Sequence, residues 1–458
     1  MQDIKQKIFI FIILIIGFQS SILINAQEVL IPLSENSKLK EYYKKNKVTK
    51  NLKAAAIIEL PFFEDFSTSN LYPNATLWAD SFAYINSSYP DLPPSVGVAT
   101  LDAINEKGEF YTGAGYELSF IADYLSSNSI NLDYPGDQTI YLSFYYQPQG
   151  LSIDDPQEKD SLILEFYDLD AQIWNTVWKK EGSPNQSFEQ VILHINESKY
   201  LKNGFRFRFK NLASLSPNSI PSLVGNVDHW HIDYIKLDRN RNASDIVHDD
   251  IAFVKPMQSF LRDFQAMPWK HFLVNPASEL KPNIELTYRN NANTDRLINQ
   301  LDFTFTDNTL NRVPETLNGG ASNLTPGLLV NYAAPFTYSF VTNTPDTASF
   351  TIKSLITTDS SDPVENNQVS YIQKFYNYYA YDDGSAEVGY GLYGDGTRFA
   401  RLAYQFNCRK DDTLKAVQMY FNRTLNNASE KYFYLTVWDD NGNGEPGDII
   451  YEKEGVLP

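Results

Sequence analysis

The chain has 458 residues, more than one ordinary domain and enough for about three. Its 38 Lys and Arg stand against 56 Asp and Glu, a formal net charge of −18, which argues against a nucleic-acid partner because phosphate needs clustered bases. Cys408 is the only cysteine, so no intrachain disulfide can form and stability must come from large cores, metal ions or both.

Residues 1–26 read as a secretory signal peptide. Lys5 and Lys7 precede an apolar run from Ile8 to Phe18, and Ala26 is the expected cleavage point. That run is short of the ~20 apolar residues a membrane span needs. No Cys follows it to carry a lipid, and no later stretch is apolar enough to cross, so the cleaved chain is expected to be extracellular without a transmembrane segment. Residues 27–59 read as a basic linker, with Lys38, Lys40, Lys44, Lys45, Lys47, Lys50 and Lys53. A solvated arm is the plain reading; contact with an anionic surface polysaccharide is the functional one.

From 60 to 240 the pattern is all strand. Ile140–Tyr146, Ser161–Tyr167, Trp174–Trp178, Gln190–Ile195 and Gly204–Phe209 alternate apolar and polar side chains between turn signals. In the last of these, Phe205, Phe207 and Phe209 share one face and Arg206 and Arg208 the other. So many strands with no helical period predict two packed antiparallel sheets, a jelly-roll sandwich.

A connector, 241–277, follows, with room for a helical turn or two at Met257–Phe272, broken at Pro268. Residues 278–370 repeat the alternation in Ile284–Tyr288, Leu301–Phe305, Phe336–Phe340 and Ser349–Ile352, at the spacing of an immunoglobulin-like sandwich. Residues 371–458 read as a second β-sandwich, incomplete at Pro458, with strands at Phe399–Phe406, Leu414–Phe421 and Tyr432–Trp438 and a hairpin loop at Asp439–Asp448. The fold class is therefore all-β throughout.

Several spaced blocks resemble one group of proteins. They are Leu60-Pro-Phe-Phe-Glu-Asp-Phe-Ser67, Gly97–Asp102, Asp123–Ser127, Tyr141–Tyr146, Asp228–Tyr234, Ala266–Trp269, Glu365–Asn367 and Tyr378–Gly384. The group is the large secreted cell-surface proteins of Bacteroidota exported by the type IX secretion system. The first domain is similar to MAM-like and concanavalin-like jelly rolls, the second to adhesion-type immunoglobulin-like modules. The resemblance implies type IX export machinery as a partner, although the sorting domain typical of the group is not present in this sequence.

Carboxylates on the first and last strands of a jelly roll can meet. Glu64, Asp65 and Asp233 are thus candidate ligands for a structural calcium, which takes six to eight oxygens. Asp382 and Asp383, with Glu387 beyond, repeat the theme. Asp439, Asn441 and Asn443 match the opening of a calcium loop, but Ile450 stands where its last carboxylate belongs, and a turn explains the residues as well. His229, His231 and Asp233 share a strand face and read as packing ahead of zinc ligation. Enzyme signatures are missing: there is no Gly-x-Ser-x-Gly elbow and no His-Glu-x-x-His pair. Paired sugar-cleaving carboxylates are set by distance in the fold and stay open. Exposed aromatics on a jelly-roll face stack on sugar rings; the candidates are Trp174, Trp178 and Trp230, with Tyr145 and Tyr146 beside them.

The sequence thus points to a secreted or surface-displayed, non-catalytic adhesion or recognition protein. Its expected partner is a polysaccharide or a host cell-surface glycan, with calcium as a structural ion. An extracellular hydrolase, or an accessory chain to one whose catalytic module lies elsewhere, is the competing reading.

Overall fold

The computed structural model describes residues 27–46, 56–68, 70–310, 312–341, 346–358, 362, 365–394, 396–427 and 430–457. The signal peptide expected at 1–26 lies outside these, as do Lys47, Lys50 and Lys53. Within them the protein is all-β, built as a jelly-roll sandwich, an immunoglobulin-like sandwich and a terminal hairpin.

The strands of the first half are β1 (Gln27–Ile31), β2 (Phe62–Glu64), β3 (Tyr84–Asn86), β4 (Val98–Leu101), β5 (Phe120–Ser126), β6 (Ile130–Asn131), β7 (Tyr141–Pro148), β8 (Ser161–Asp168), β9 (Ile173–Glu181), β10 (Glu189–His194), β11 (Asn203–Phe205), β12 (Phe207–Ala213) and β13 (Trp230–Asp238). One sheet runs β10-β7-β13-β4-β3, with β2 also paired to β13; the facing sheet runs β5-β12-β8-β9. Alternation does the work predicted for it. Phe205, Phe207 and Phe209 are wholly buried and meet Phe62, Trp78, Phe144 and Trp230 in one core, while the arginines between them point out.

The expected basic linker is different in its first half. β1 pairs antiparallel with β21 (Gly389–Tyr393), from Gln27↔Tyr393 to Ile31↔Gly389. The approach is close enough that a Cβ on Gly389 would lie 2.6 Å from the Ile31 side chain. A helix, α1 (Ser37–Asn46), follows; the Asn36 side chain accepts a hydrogen bond from the Leu39 N–H at 3.1 Å, as an N-cap does, and Leu39 is buried against Tyr84 and Tyr89. Lys40 pairs with Glu35 and Lys45 with Glu41. The lysine density masked this cap and the apolar residues around it.

The second sandwich takes in more than 278–370. Its strands are β14 (Ile251–Phe253), β15 (Asn283–Asn290), β16 (Arg296–Asp307), β17 (Glu315–Leu324), β18 (Leu329–Pro335), β19 (Ala348–Thr358) and β20 (Gln368–Phe375), in sheets β14-β15-β18 and β17-β16-β19-β20. The predicted connector supplies part of the core: Met257, Phe260, Phe264, Met267, Trp269 and Phe272 are all buried. Of the helical turns expected within Met257–Phe272, one is formed, α2 (Trp269–Phe272), beginning after Pro268; a further turn, α3 (Pro276–Glu279), lies beyond that stretch.

In the last unit β22 (Phe433–Asp440) and β23 (Pro446–Val456) form the predicted hairpin. The strands expected at 399–406 and 414–421 are not formed; Leu402, Tyr404 and Phe406 alternate in sequence yet stay exposed. Alternation prepares a strand, but a ladder needs a partner edge, and among the described residues neither segment pairs with one.

Candidate ligand-binding face

The jelly roll has two outer faces, and they differ. The outer side of the β7–β13 sheet is covered by the 86–95 loop and by the second sandwich. His229 stacks on Tyr89 at 4.5 Å, and His231 Nδ1 lies 2.9 Å from Thr100 Oγ1. Burial lowers the His229 pKa to about 3 and that of His231 to about 4, so both rings are neutral. Asp233 does not join them as a zinc ligand; its carboxylate accepts from the Ser95 N–H and hydroxyl and from its neighbour's N–H at Tyr234.

The outer side of the β5-β12-β8-β9 sheet is half-open and carries a strip of rings and guanidinium groups. Inward phenylalanines force Arg206, just before β12, and Arg208 and Lys210 on it outward. Register sets Tyr167 opposite Trp174 across β8 and β9, and Tyr124 opposite Lys210 across β5 and β12. The Arg206 guanidinium lies 4.0 Å from the Tyr167 ring centre; that of Arg208 lies 4.3 Å from Trp174 and 4.8 Å from Tyr124. The Tyr167 and Trp174 rings are 5.0 Å apart. Beneath them Glu165 accepts from Arg208 Nε at 2.7 Å and Lys210 Nζ at 2.6 Å. Each cation–ring contact is worth about 0.5–1 kcal/mol at an exposed site, enough to hold the rings in one orientation. The strip holds three bases against one acid, a positive patch on an acidic protein. It presents ring surfaces for a pyranose and fixed N–H donors for hydroxyl or acidic groups.

Of the three predicted tryptophans, Trp174 alone sits on this strip. Trp230 is fully buried, its ring 6.4 Å from Tyr146, so it is core and not a ligand contact. Trp178 turns inward onto Phe144 at 5.2 Å and Tyr146 at 5.1 Å. Simple alternation places Trp174 and Trp178, four apart, on one face. A bulge pairs Leu164 with Trp178 but Glu165 with Thr176, and so sends them to opposite faces. The strip's arginines and tyrosines were visible in the alternation of β12 and β8, but their meeting depends on strand order.

The predicted acids disperse. Glu64 accepts from the Phe66 N–H at 2.9 Å and the Trp78 indole at 3.2 Å, and burial raises its pKa to about 7. Asp65 faces the other way: Ser67 donates to Oδ1, and Asn366 Nδ2 to Oδ2 at 3.0 Å. That same amide donates to Asp250 at 3.1 Å, while the Asn366 side-chain oxygen has no donor among the described residues. Asp65, Asp233, Asp250 and Asn366 therefore gather where the two sandwiches meet, and Glu64 does not. Burial pushes Asp233 well above the usual carboxylate range, with Asp65 adding to it. Asp382 and Asp383 accept from the Gly384 and Ser385 N–H groups, Asp439 from the Asp448 N–H, and Asn441 from the Asn443 N–H; all are turn contacts at the surface. The Asn443 side chain is exposed and takes no part in that turn bonding. Among the described residues no three His, Cys, Asp or Glu side chains converge as a metal centre. Cys408 is exposed.

No family model matches the chain, and no curated protein matches it. Among solved structures it is similar to a calcium-binding mutant of Bacteroides uniformis beta-glucuronidase 2, at 12% identity over 58% of this chain and 28% of that one, TM-score 0.22. It is similar to a GH2 beta-galacturonidase from Eisenbergiella tayi bound to glycerol, at 9% identity over 71% and 44%, TM-score 0.23. It is similar also to the N-terminal CBM22 tandem domain of Paenibacillus barcinonensis Xyn10C, at 8% identity over 70% and 98%, TM-score 0.22. The chain spans 28% of the length of the first of these.

Proposed function

We propose that this is a secreted or surface-displayed, non-catalytic recognition protein that binds glycan through the Tyr124–Tyr167–Trp174 strip. The observation that carries this is the set of guanidinium contacts holding those rings on a half-open sheet face. Rings fixed in advance bind without the entropy cost of ordering them, and a flat aromatic surface suits the apolar face of a sugar. The signal-like start and the resemblance to type IX substrates support export.

A glycan array on the full chain tests the reading. Binding is expected, and Trp174→Ala is expected to weaken it by about 1–2 kcal/mol, roughly five- to thirtyfold. Trp178→Ala, on the inner face, serves as the contrast. An array with no bound glycan, or one unchanged by Trp174→Ala, overturns it.

Calcium belongs to the same proposal as a structural ion. Asp65 and Asp250 each accept from the Asn366 amide at the junction of the sandwiches, and carboxylate oxygens are the donors a calcium ion takes. Bound there, the ion would neutralise buried negative charge. At 100 times its Kd it is expected to add about 2.7 kcal/mol to stability. Melting temperatures with calcium and with chelator check this; identical values remove the ion from the account.

A further inference from the structure

A second site lies away from the aromatic strip. Where the two sandwiches meet, a cleft of ≈ 180 Å³ opens between Asp91, Leu92 and Tyr145 of the first and Arg289 and Asn291 of the second, with Phe188 at its side. Its walls are held from behind. The Gln147 side chain accepts from the Asp91 N–H at 2.8 Å and donates to the Asp91 carbonyl at 3.0 Å and the Gln186 carbonyl at 2.9 Å, tying two loops together. Asn291 donates to the Pro94 carbonyl at 3.0 Å across the junction. Leu92 holds a φ of 49°, a left-handed conformation that a branched apolar residue adopts only when its surroundings impose it.

Into this cleft β15 projects Arg289. Its backbone is fixed by β14 on one side and β18 on the other, Ala252↔Arg289 and Arg289↔Leu329. Its guanidinium makes one hydrogen bond among the described residues, a long one of 3.4 Å from Nη2 to the Leu92 carbonyl, and no ion pair. Most of its five N–H donors are therefore unassigned. Burial depresses its pKa, which marks a charge partly removed from water without a compensating anion. The carboxylate of Asp91 likewise receives no hydrogen bond among the described residues.

We infer that the cleft binds a single carboxylate-bearing sugar residue, with Arg289 pairing to the carboxylate. A guanidinium fork matches a planar carboxylate through two parallel hydrogen bonds. Tyr145 and Phe188 offer ring surface to the pyranose, and the Asp91 carboxylate and the Asn291 amide oxygen offer acceptors to its hydroxyls. Asp91 beside the site disfavours a dianionic phosphate or sulfate, and the cleft accommodates a single ring. This site stands independently of the aromatic strip.

The test is titration of the full chain with glucuronate and galacturonate, against glucose and galactose, by saturation-transfer NMR and calorimetry. The acids are expected to bind at least tenfold more tightly than the neutral sugars. Arg289→Gln is expected to abolish the difference, Arg289→Lys to retain part of it, and Trp174→Ala to leave it unchanged. The comparison of acidic with neutral sugars on the unaltered protein needs no variant to fold. Equal affinity for the two classes overturns the proposal, as does a uronate preference that survives Arg289→Gln or disappears with Trp174→Ala.

Discussion

Raising the pH from 5.5 to 9 is expected to lower the urea midpoint of this protein, the reverse of the usual acid sensitivity. The cause lies in carboxylates sealed inside the jelly roll. Asp228 and Asp160 are both fully buried and share the Ser214 hydroxyl, at 3.2 and 2.8 Å. Burial, with the charge of Asp160 second, raises the Asp228 pKa to about 9. Burial raises Asp102 to about 7, and it pushes Asp123 well above the usual range, with Asp102 adding to it. An unfolded Asp titrates near ~3.9. Between that value and the raised one, the folded protein keeps protons that the unfolded chain has released, so stability falls as pH climbs. The total over this window is several kcal/mol, at about 1.4 kcal/mol per unit for each group. The histidines act oppositely. His229, His231 and His248 are held neutral, with pKa values lowered to about 3, 4 and 3, so they withdraw stability as pH drops below ~6.5. Maximum stability is therefore expected near pH 5–6.5. Urea unfolding at pH 5.5, 7 and 9 checks the sign, and Asp228→Asn is expected to flatten the descent. Midpoints that climb with pH would refute the account.

Phe207→Ala is expected to cost about 3–5 kcal/mol, the range for removing a buried ring from a packed core. Phe207 is wholly buried and meets Phe62 at 5.3 Å, Trp78 at 5.8 Å and Phe209 at 6.1 Å, so the cavity would open at the seam between the sheets. Its neighbour Arg206 points outward, and Arg206→Ala is expected to cost under about 1 kcal/mol, the value of an exposed cation–ring contact. The pair, measured by chemical denaturation at pH 6, reads out which face of β12 is inside. Similar losses for the two variants would contradict the assignment.

The two-residue period of β12 and β13 made the first core legible from the sequence, as did the paired runs of β15, β16 and β19. What the sequence did not carry were the breaks in that period. The register shift between Asp233 and Lys236 on β13 takes Tyr234 out of the core that Trp230 and Ile232 enter and brings Ile235 in, and the bulge on β8 and β9 turns Trp178 away from the face that carries Trp174. A bulge is one added residue with no fixed signature, so counting by twos passes over it. The junction was hidden for another reason. Asp65 meets Asn366 across 301 positions and Asp250 meets it across 116, and no local pattern links such residues. Trp174 was legible because its strand is regular where it sits. Arg289 lies one residue past the alternating run Ile284–Tyr288 and was not singled out, since nothing in a strand says that a side chain will lack an acid.

The pairing of β1 with β21 also bears on mechanical load. Gln27 lies opposite Tyr393 and Ile31 opposite Gly389, and Asn422 adds side-chain bonds to Ser34 and Pro32. Because the strands are antiparallel, tension between residues 27 and 394 pulls both from the same end. The clasp is thus stretched in unzipping geometry, one rung at a time, and not in shear across all rungs at once. Under such traction it is expected to open first, sparing the two sandwiches behind it.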